Sequence, residues 1–386
     1  MKYSVHDMKY HYKYFFDTVT GFYMRTGILD ENGRDTGVDP FMASFPHLID
    51  VGIMGHCIHG ESGLCRAAGV QCYQSGYSVK KPDMTVEDFE SIAKQCRHIT
   101  NQLALGGRGD PNQHQDFKRI LQICRDNDLV PNYTTSGFRM TEKQIQLTKE
   151  YCGAVAVSWY RSNYTEAAIR RFIDAGCKTN IHYVLSKNTI AEAIERLSGK
   201  GFVDGINAVI FLMHKPVGQG ERENMIATDE PLLKEFCRLV NTSKQPYKIG
   251  FDSCSVPMIV NCCPNIAKIT LDTCEGGRYS CYISSEMIMS PCSFDREEKY
   301  GVSLRGKTIQ EVWESPQFDA FRRSLKHSCP DCPDREYCMG GCPLVPDIAL
   351  CRRVHKQQLY AVESSKTLTP PINHSNEIEV SDECHT

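Results

Sequence analysis

Short apolar segments alternate with amphipathic segments between residues 50 and 250. Several of the apolar segments are followed directly by glycine, serine or threonine. In one amphipathic segment, the residues Phe89, Ile92, Ala93 and Cys96 have the spacing of a half-buried helical face. We therefore predict five or six strand–helix repeats, which together make an α/β fold with a parallel sheet.

The carboxyl ends of these strands are candidate binding positions, because parallel sheets bind their ligands at that edge. Helices between the strands are predicted to begin at Thr85, Thr141 and Thr165, where the residue types of a helix N-terminus occur. The predicted strands are Leu48–Val51, Leu103–Leu105, Leu129–Thr135, Ala154–Trp159, Thr179–Leu185 and Ala208–Met213.

The pattern changes on both sides of this region and predicts four segments. Residues 1–45 form an extension with the alternation of a β-hairpin. Residues 46–250 contain the strand–helix repeats, and residues 251–352 are rich in turns and cysteine, with one helical pattern at Thr308–Phe321. Residues 353–386 are polar, include Pro370-Pro371 and are predicted to be a disordered tail.

Composition and charge exclude several classes of partner. The formal net charge is −3, so no global field attracts nucleic acid or anionic lipid. The longest apolar runs, such as Ala208–Met213, are far too short to cross a bilayer. The first residues, Met1–Phe16, have no apolar segment of the kind found in signal peptides. We therefore predict a cytoplasmic protein without a membrane or nucleic-acid partner.

Cysteine is unusually frequent for such a protein. The 386 residues include 20 cysteines, which in a reducing compartment indicate metal ligation rather than disulfides. Cys96, Cys124, Cys152 and Cys177 lie in apolar surroundings and are predicted to be small buried core residues.

The strongest cysteine pattern lies near the end of the chain. Cys329 is followed at intervals of two, five and three residues by Cys332, Cys338 and Cys342, and then by Cys351. The proline and glycine residues between them allow the tight turns that bring thiolates around a metal. Four such thiolates bind either zinc or an iron–sulfur cluster.

A second group extends the first and favours clusters over zinc. It consists of Cys274, Cys281 and Cys292, and the two groups together have enough thiolates for two four-ligand sites. A single zinc site would leave half of these residues without a role. Cys281 lies in a strand-like run, where a thiol can also be a packed core residue.

The third group has only three members, Cys57, Cys65 and Cys72. A cluster held by three protein ligands keeps one iron free to bind a small molecule. The surrounding loop is rich in glycine and follows the first predicted strand of the sheet. The alternatives are a loop of incidental thiols, or a zinc site that includes His56 or His59.

These residues resemble the radical S-adenosylmethionine superfamily, in particular its members with a SPASM domain, and the resemblance extends from Asp50 to Cys351. It implies a partial (β/α)6 TIM-like barrel followed by a small cysteine-rich SPASM domain. It also implies three 4Fe–4S clusters, the first of them on Cys57, Cys65 and Cys72. One auxiliary cluster would take Cys329, Cys332, Cys338 and Cys351, and the other would take Cys274, Cys281, Cys292 and Cys342.

The amino-terminal part of the resemblance departs from the superfamily pattern. The usual CxxxCxxC loop is absent, and both gaps between the three cysteines are longer here. Cys72 is nevertheless followed by an aromatic residue, Tyr73, as is common in the superfamily. The segment Gly106–Pro111 resembles the motif that binds the methionine amino group, with Arg108 in place of the expected glutamate. The residues implied in S-adenosylmethionine binding are Gly106, Gly107, Asp110, Ser136 and Ser158.

The resemblance implies reductive cleavage of S-adenosylmethionine to a 5′-deoxyadenosyl radical, which removes hydrogen from a peptide or protein substrate. A ferredoxin or flavodoxin would supply the electron. Asp252 and His214, at strand ends, are candidates for a general base. The alternatives are a sulfatase-maturing, formylglycine-generating enzyme and a non-catalytic zinc or iron–sulfur electron carrier.

Overall fold

Two β-sheets organise the part of the chain that the structure describes. The structure is a computed structural model that describes residues 2–326, 329 and 331–351. The described residues up to Leu350 form one compact unit, and Cys351 belongs to a second. The predicted tail at residues 353–386 lies outside the described residues.

The smaller sheet is amino-terminal and antiparallel. It contains β1 (Lys2–Asp7), β2 (Tyr12–Asp17) and β3 (Tyr23–Arg25) in that order, as the hairpin pattern predicted. The side chains of Tyr12 and Tyr14 on β2 are buried in a small core of their own with Tyr279. The amino-terminal sheet is therefore packed against the cysteine-rich part of the chain.

The larger sheet has ten strands, and the first seven of them in the chain are parallel neighbours in sequence order. Its strands are β4 (Leu48–Met54), β5 (Gln102–Gly107), β6 (Val130–Thr135), β7 (Ala154–Ser158), β8 (Thr179–Leu185), β9 (Ala208–Met213), β10 (Lys248–Phe251), β11 (Ser280–Ile283), β12 (Ile288–Ser290) and β13 (Val302–Ser303). The described helices are α1 (Ile58–Glu61), α2 (Leu64–Ala67), α3 (Val86–Cys96), α4 (Phe117–Asp126), α5 (Glu142–Tyr151), α6 (Asn163–Asp174), α7 (Ile190–Glu195), α8 (Pro231–Thr242), α9 (Val256–Cys262), α10 (Ile309–Trp313), α11 (Pro316–Lys326) and α12 (Arg335–Cys338).

Six strand–helix units, from β4 with α3 to β9 with α8, account for the parallel part of the sheet. The predicted α/β fold with a partial (β/α)6 barrel is confirmed. The sheet is open, with β10 at one edge and β13 at the other. On the far side of β4 from β5, β11 pairs with β4 in parallel, and β12 and β13 continue the sheet antiparallel. The cysteine-rich region thus extends the same sheet.

Side chains along the strands of the larger sheet alternate between the core beneath the helices and the opposite face of the sheet. On β4, Ile49, Val51 and Ile53 are fully buried in the main core, and α3 buries the predicted face that includes Phe89 and Ile92. Residues between the buried ones, such as Asp50, point to the opposite face of the sheet, because side chains alternate along a strand.

Helix starts agree with the sequence in most places. The side chains of Thr85 and Thr141 accept hydrogen bonds from the backbone as predicted. The prediction for Thr165 is wrong, because α6 begins earlier and Ser162 is its N-cap. The single helix predicted at Thr308–Phe321 is two helices, since Pro316 cannot continue α10 and instead starts α11.

Within the described part of the chain, no helix has both the length and the apolar character needed to cross a membrane.

Candidate functional site

The loop after β4 carries the three-cysteine group. Cys57 is the N-cap of α1, and its sulfur accepts a hydrogen bond from the Gly60 N–H at 3.1 Å. The sulfur of Cys72 accepts one from the Gly76 N–H at 3.4 Å. Backbone donors of this kind stabilise negative charge on sulfur, as cluster ligation requires.

The three thiols converge. Burial raises the pKa of Cys57 to about 12, and nearby Asp110, Cys72 and Cys65 add to the rise by charge repulsion. The pKa of Cys65 is raised by burial and by Cys72 in the same way. Each thiol therefore lies within electrostatic range of the other two. Such a group loses its protons readily only when positive charge binds to it, since a metal ligand must be the thiolate.

Glycines allow the loop to lie close against the ends of the neighbouring strands. A Cβ on Gly76 would come within 2.6 Å of the Arg108 carbonyl oxygen and 3.0 Å of the Cys57 Cβ. A Cβ on Gly109 would collide with the His56 carbonyl oxygen. These positions have room for a hydrogen atom only, so the path of the loop depends on them.

The ends of β5 and β6 are joined by Asp110. Its carboxylate accepts hydrogen bonds from the Ser136 N–H at 2.9 Å, the Ser136 hydroxyl at 2.6 Å and the Thr135 hydroxyl at 3.1 Å. Burial raises the pKa of Asp110, and these three bonds oppose the rise. Gly107 has a φ of 112°, while a Cβ on Gly106 would meet nothing within 4 Å. Open space therefore lies beside Gly106.

An aromatic wall closes the site on the side of β7. Tyr160 lies close to Ser158 and within electrostatic range of Asp110 and Cys72. His59 stacks on Tyr160 with ring centroids 5.5 Å apart, and its Nε2 is 2.8 Å from the Tyr164 hydroxyl. Burial lowers the pKa of His59 to about 4. His59 is therefore a neutral, packed residue.

The zinc alternative gains no support from the geometry. His56 is hydrogen-bonded to Asp83 at 3.0 Å, and His59 to Tyr164. Among the residues that the structure describes, no three or more His, Cys, Asp or Glu side chains lie close enough together to hold a single metal ion. An iron–sulfur cube does not need such closeness, because each cysteine binds a separate iron atom of a larger body.

A second group of thiols lies near the carboxyl end of β10. Cys274 and Cys292 flank Gly276, where a Cβ would be 3.6 Å from the Cys274 sulfur and 3.6 Å from the Cys292 Cβ. Cys254 and Cys342 interact electrostatically. Burial and the nearby Cys254 raise the pKa of both Cys274 and Cys292. Four cysteines are thus gathered here, and Cys254 is not one that the sequence pattern had singled out.

Cys281 lies elsewhere. It is on β11 opposite Ile49 of β4 and belongs to the main hydrophobic core. The groups that perturb its thiol electrostatically are Cys96, Asp50 and Arg322. The structure therefore does not bring Cys281 to Cys274 and Cys292.

Comparisons with known proteins give a match to one domain family and to several solved structures. Residues 274–333 match the family model of SPASM, an iron–sulfur cluster-binding domain. No curated protein matches the sequence. Among solved structures, Streptococcus suis SuiB bound to S-adenosylmethionine has a TM-score of 0.60 at 16% identity, over 81% of this chain and 78% of that chain. SuiB bound to the precursor peptide SuiA has a TM-score of 0.61 at 15% identity, over 81% of this chain and 77% of that chain. The structure of anSMEcpe with bound AdoMet and the Cp18Cys peptide has a TM-score of 0.56 at 15% identity, over 83% of this chain and 100% of that chain.

At these identities the likeness concerns the fold alone. Residues 274–333 are similar to the SPASM iron–sulfur cluster-binding domain, and the fold of the chain is similar to that of these S-adenosylmethionine-bound structures. The matched residues begin at Cys274 and end at Pro333, directly after Cys332. The match therefore includes the first cysteines of both carboxyl-terminal groups.

The later SPASM cysteines lie on tight turns. The Cys332 N–H donates to the Cys329 carbonyl oxygen at 3.1 Å, and Cys338 ends α12. Gly340 and Gly341 have φ values of 84° and 96°, which are left-handed conformations that favour glycine. The glycines thus make the turns that the sequence pattern predicted. Cys351 is the first residue of the second unit, so its place in a ligand set stays a prediction.

The two candidate general bases are both engaged in structural contacts. Asp252 forms an ion pair with Lys215 at 2.7 Å, and the Lys215 side chain is only 3% exposed. Asp252 also accepts a hydrogen bond from Ser255. The His214 Nε2 is 2.9 Å from the Glu221 carbonyl oxygen, and burial lowers the pKa of His214. The Lys215–Asp252 pair was not foreseen from the sequence, since neither residue belongs to a motif.

Tyr73 and Phe294 connect the two cysteine groups. Tyr73 follows Cys72, and its ring centroid is 4.5 Å from that of Phe294, which lies two residues after Cys292. The loop after β9 packs on the same place, because the Gln219 N–H donates to the Cys72 carbonyl oxygen at 3.0 Å. The three-cysteine loop and the SPASM domain are therefore in direct contact.

Proposed function

We propose that this protein is a radical S-adenosylmethionine enzyme that acts on a peptide or protein. The observation that carries the proposal is the convergence of Cys57, Cys65 and Cys72 beside the carboxyl ends of β5, β6 and β7. When bound to these residues, a 4Fe–4S cluster would supply the electron that cleaves S-adenosylmethionine to methionine and a 5′-deoxyadenosyl radical.

The donor set fits such a cluster. Three thiols share one loop, two of them accept backbone N–H hydrogen bonds, and Gly76 leaves the space that their convergence needs. Three ligands leave one iron of the cube without a protein ligand, which is the position for the amino and carboxylate groups of S-adenosylmethionine.

The strand ends would bind and orient that molecule. The open space beside Gly106 would accommodate its methionine part, and the backbone carbonyl groups of Gly106 and Gly107 would accept from its amino group. Asp110 accepts two hydrogen bonds from Ser136 and one from Thr135 at the end of β6, so we assign it an orienting role. Ser158 is the candidate for the ribose.

The aromatic wall would keep water away from the reacting atoms. Phe138 and Tyr160 lie on His59 with ring centroids 5.0 and 5.5 Å away, and Tyr164 closes the edge of the group. A neutral His59 adds no charge that would draw water in. Excluding water protects a radical from side reactions.

A peptide substrate is supported by the bound peptides of the structural neighbours. SuiB is bound to the precursor peptide SuiA, and anSMEcpe is bound to the Cp18Cys peptide. A ferredoxin or flavodoxin is the proposed reductant. Cys329, Cys332 and Cys338 are proposed ligands of one auxiliary cluster in the SPASM domain, which would carry electrons away from or towards the substrate.

Dithionite-reduced protein, purified anaerobically and supplied with S-adenosylmethionine, is expected to release 5′-deoxyadenosine. With a peptide library deuterated at the carbon positions, deuterium is expected in that product. Formylglycine in a sulfatase-derived peptide would instead identify a sulfatase-maturing enzyme. A protein that keeps its clusters but leaves S-adenosylmethionine intact would be an electron carrier and would overturn the proposal.

A further inference from the structure

We propose that Gln74, Arg108 and Arg296 bind a carboxylate group of the substrate, so that the peptide acted on presents an aspartate, a glutamate or its own carboxyl terminus to this site. The inference rests on the peptide substrate of the proposed function and adds the chemical class of that peptide.

The contact between Gln74 and Arg296 carries the first step. It lies beside the contact between the Tyr73 and Phe294 rings, since Gln74 follows Tyr73 and Arg296 lies two residues after Phe294. The Arg296 Nη1 donates to the Gln74 Oε1 at 2.8 Å. A guanidinium group can only donate, so the amide oxygen must face Arg296. The Nε2 donor of Gln74 is therefore left for another acceptor.

Arg108 approaches the same loop from the end of β5. Gly76, two residues after Gln74, lies against the Arg108 backbone, where a Cβ would be 2.6 Å from the carbonyl oxygen. That Cβ would also be 3.0 Å from the Cys57 Cβ. Arg108 thus lies next to the three-cysteine loop, and a group bound by its side chain would be close to the first cluster.

Tyr282 of β11 is a common neighbour of the three side chains. Its hydroxyl group lies against Gly52 of β4, because a Cβ on Gly52 would collide with it. Burial raises the pKa of Tyr282. Arg296, Arg108 and Gln74 all oppose that rise. The two guanidinium groups and the amide therefore surround one part of the ligand face of the sheet.

These side chains have hydrogen-bond donors without acceptors. The Gln74 Nε2 and the Arg108 Nε are buried and have no partner among the described residues, and Gln74 is only 2% exposed. In the same part of the chain, neither Arg108 nor Arg296 forms an ion pair. Buried donors that lack an acceptor are costly. The surplus of donors and of positive charge indicates a ligand that accepts hydrogen bonds and is an anion.

The carboxylate of Asp50 does not meet this need. Asp50 is paired in register with Tyr282, but burial raises its pKa to about 6 and no guanidinium group opposes the rise. Guanidinium groups with little access to water need a counter-charge, and their planar donors match the two oxygens of a carboxylate. A carboxylate from outside the chain supplies both the charge and the acceptors.

The substrate is the better source of that carboxylate. S-adenosylmethionine has one as well, but in the proposed function it binds the iron without a protein ligand. Arg108 also stands where the resembling motif has a glutamate. An arginine at this position cannot accept from an amino group and instead donates to an acid.

The test compares two peptide libraries that are deuterated at the carbon positions, with dithionite-reduced wild-type protein and S-adenosylmethionine. One library contains aspartate, glutamate and a free carboxyl terminus. The other replaces them by asparagine, glutamine and a terminal amide. We expect about tenfold more deuterium in 5′-deoxyadenosine from the acidic library. Equal transfer from both would overturn the carboxylate site and leave the proposed function intact. Transfer from neither would overturn the peptide substrate and the site together.

Arg296→Gln distinguishes the substrate from S-adenosylmethionine. The variant should bind S-adenosylmethionine in equilibrium dialysis and cleave it without peptide as the wild type does, and it should lose the preference for the acidic library. Arg296→Lys keeps the charge and should retain part of the preference. Arg238→Gln, which breaks an exposed ion pair with Glu235, is the matched control. An unchanged preference in Arg296→Gln, or a loss of S-adenosylmethionine binding instead, would overturn the assignment to the substrate.

Gln74→Glu covers the case in which Arg296→Gln does not fold. The variant keeps the shape of the side chain and the contact with Arg296, but it replaces the free Nε2 donor by a negatively charged oxygen. A carboxylate would then be repelled, so the acidic library should become the poorer substrate. A preference for acidic peptides as strong as in the wild type would contradict the site.

Discussion

At the scale of single residues, the candidate site depends on glycines, which have no Cβ, as much as on its thiols. Gly76 contacts both the Arg108 carbonyl group and the Cys57 side chain at distances that leave no space for a Cβ. Gly60 lies against Gly76 in the same way. The sequence shows these residues only as members of a glycine-rich loop. Which glycine is required becomes visible when the loop is folded against β5.

Gly76→Ala should displace Cys57 and lower the occupancy of the first cluster. The added Cβ meets backbone atoms, which cannot rotate away as a flexible side chain could. We expect loss of iron from this cluster and at least a tenfold lower rate of 5′-deoxyadenosine formation, a change that corresponds to about 1.4 kcal/mol. Iron analysis and a single-turnover assay measure the two effects.

Gly69→Ala is the control in the same loop. A Cβ there would meet nothing within 4 Å, although the φ of 73° adds backbone strain. If Gly69→Ala and Gly76→Ala were equally impaired, the strain of the loop and not the close approach to Cys57 would be the cause.

At the scale of elements, the amino-terminal sheet is held to the larger sheet through His47. Its Nε2 is 3.1 Å from the Tyr12 hydroxyl on β2, and its Nδ1 is 2.8 Å from the Tyr23 hydroxyl on β3. Burial lowers the pKa of His47 to about 3. The folded protein therefore requires the neutral imidazole, which has one donor and one acceptor for the two tyrosines.

This requirement predicts a loss of stability in acid. Between the unfolded pKa of about 6.5 and the folded pKa of about 3, His47 binds a proton in the unfolded chain but not in the folded chain. The stabilising contribution of neutral His47 to the free energy of unfolding is therefore complete above pH 6.5 and is lost as the pH falls through this range. From pH 7 to pH 5, the free energy of unfolding should fall by about 2 kcal/mol more in the wild type than in His47→Gln.

Urea unfolding at the two pH values measures the difference. Glutamine keeps a donor and an acceptor but does not titrate in this range. Parallel losses in the two proteins would show that His47 is not the responsible group.

The elements themselves were largely predictable, and the exceptions have physical reasons. The six parallel strands and the caps at Thr85 and Thr141 follow local patterns that the structure retains. Lys248–Phe251 is short, contains glycine and lacks an apolar pattern, so it becomes a strand only through pairing with β9. Tertiary context overrides local preference in such segments.

At the scale of the whole molecule, sequence spacing identified most of the cysteines but not all of their neighbours. The three members of the first loop are close in sequence and meet in space. Cys254 is 20 positions before Cys274 and reaches the SPASM thiols because β10 ends beside them. Cys281, in contrast, belongs to a motif-like series but is drawn into the core by the strand that carries it.

The contact between Tyr73 and Phe294 links the two cysteine groups and therefore matters for the proposed function. It places aromatic rings between the loop of Cys72 and the turn of Cys292, at a centroid distance of 4.5 Å. The three-cysteine loop and the turn of Cys292 thus lie within one compact unit. A radical reaction at the first cluster and electron transfer through the SPASM domain can then be parts of one process.

The most direct measurement compares wild-type protein with the triple variant Cys57→Ala, Cys65→Ala and Cys72→Ala under anaerobic, dithionite-reducing conditions. Iron per chain and 5′-deoxyadenosine are determined on the same samples. We predict that the variant loses the iron of one cluster, keeps the colour of the auxiliary clusters and forms no 5′-deoxyadenosine. Undiminished iron together with continued formation of 5′-deoxyadenosine would contradict the account.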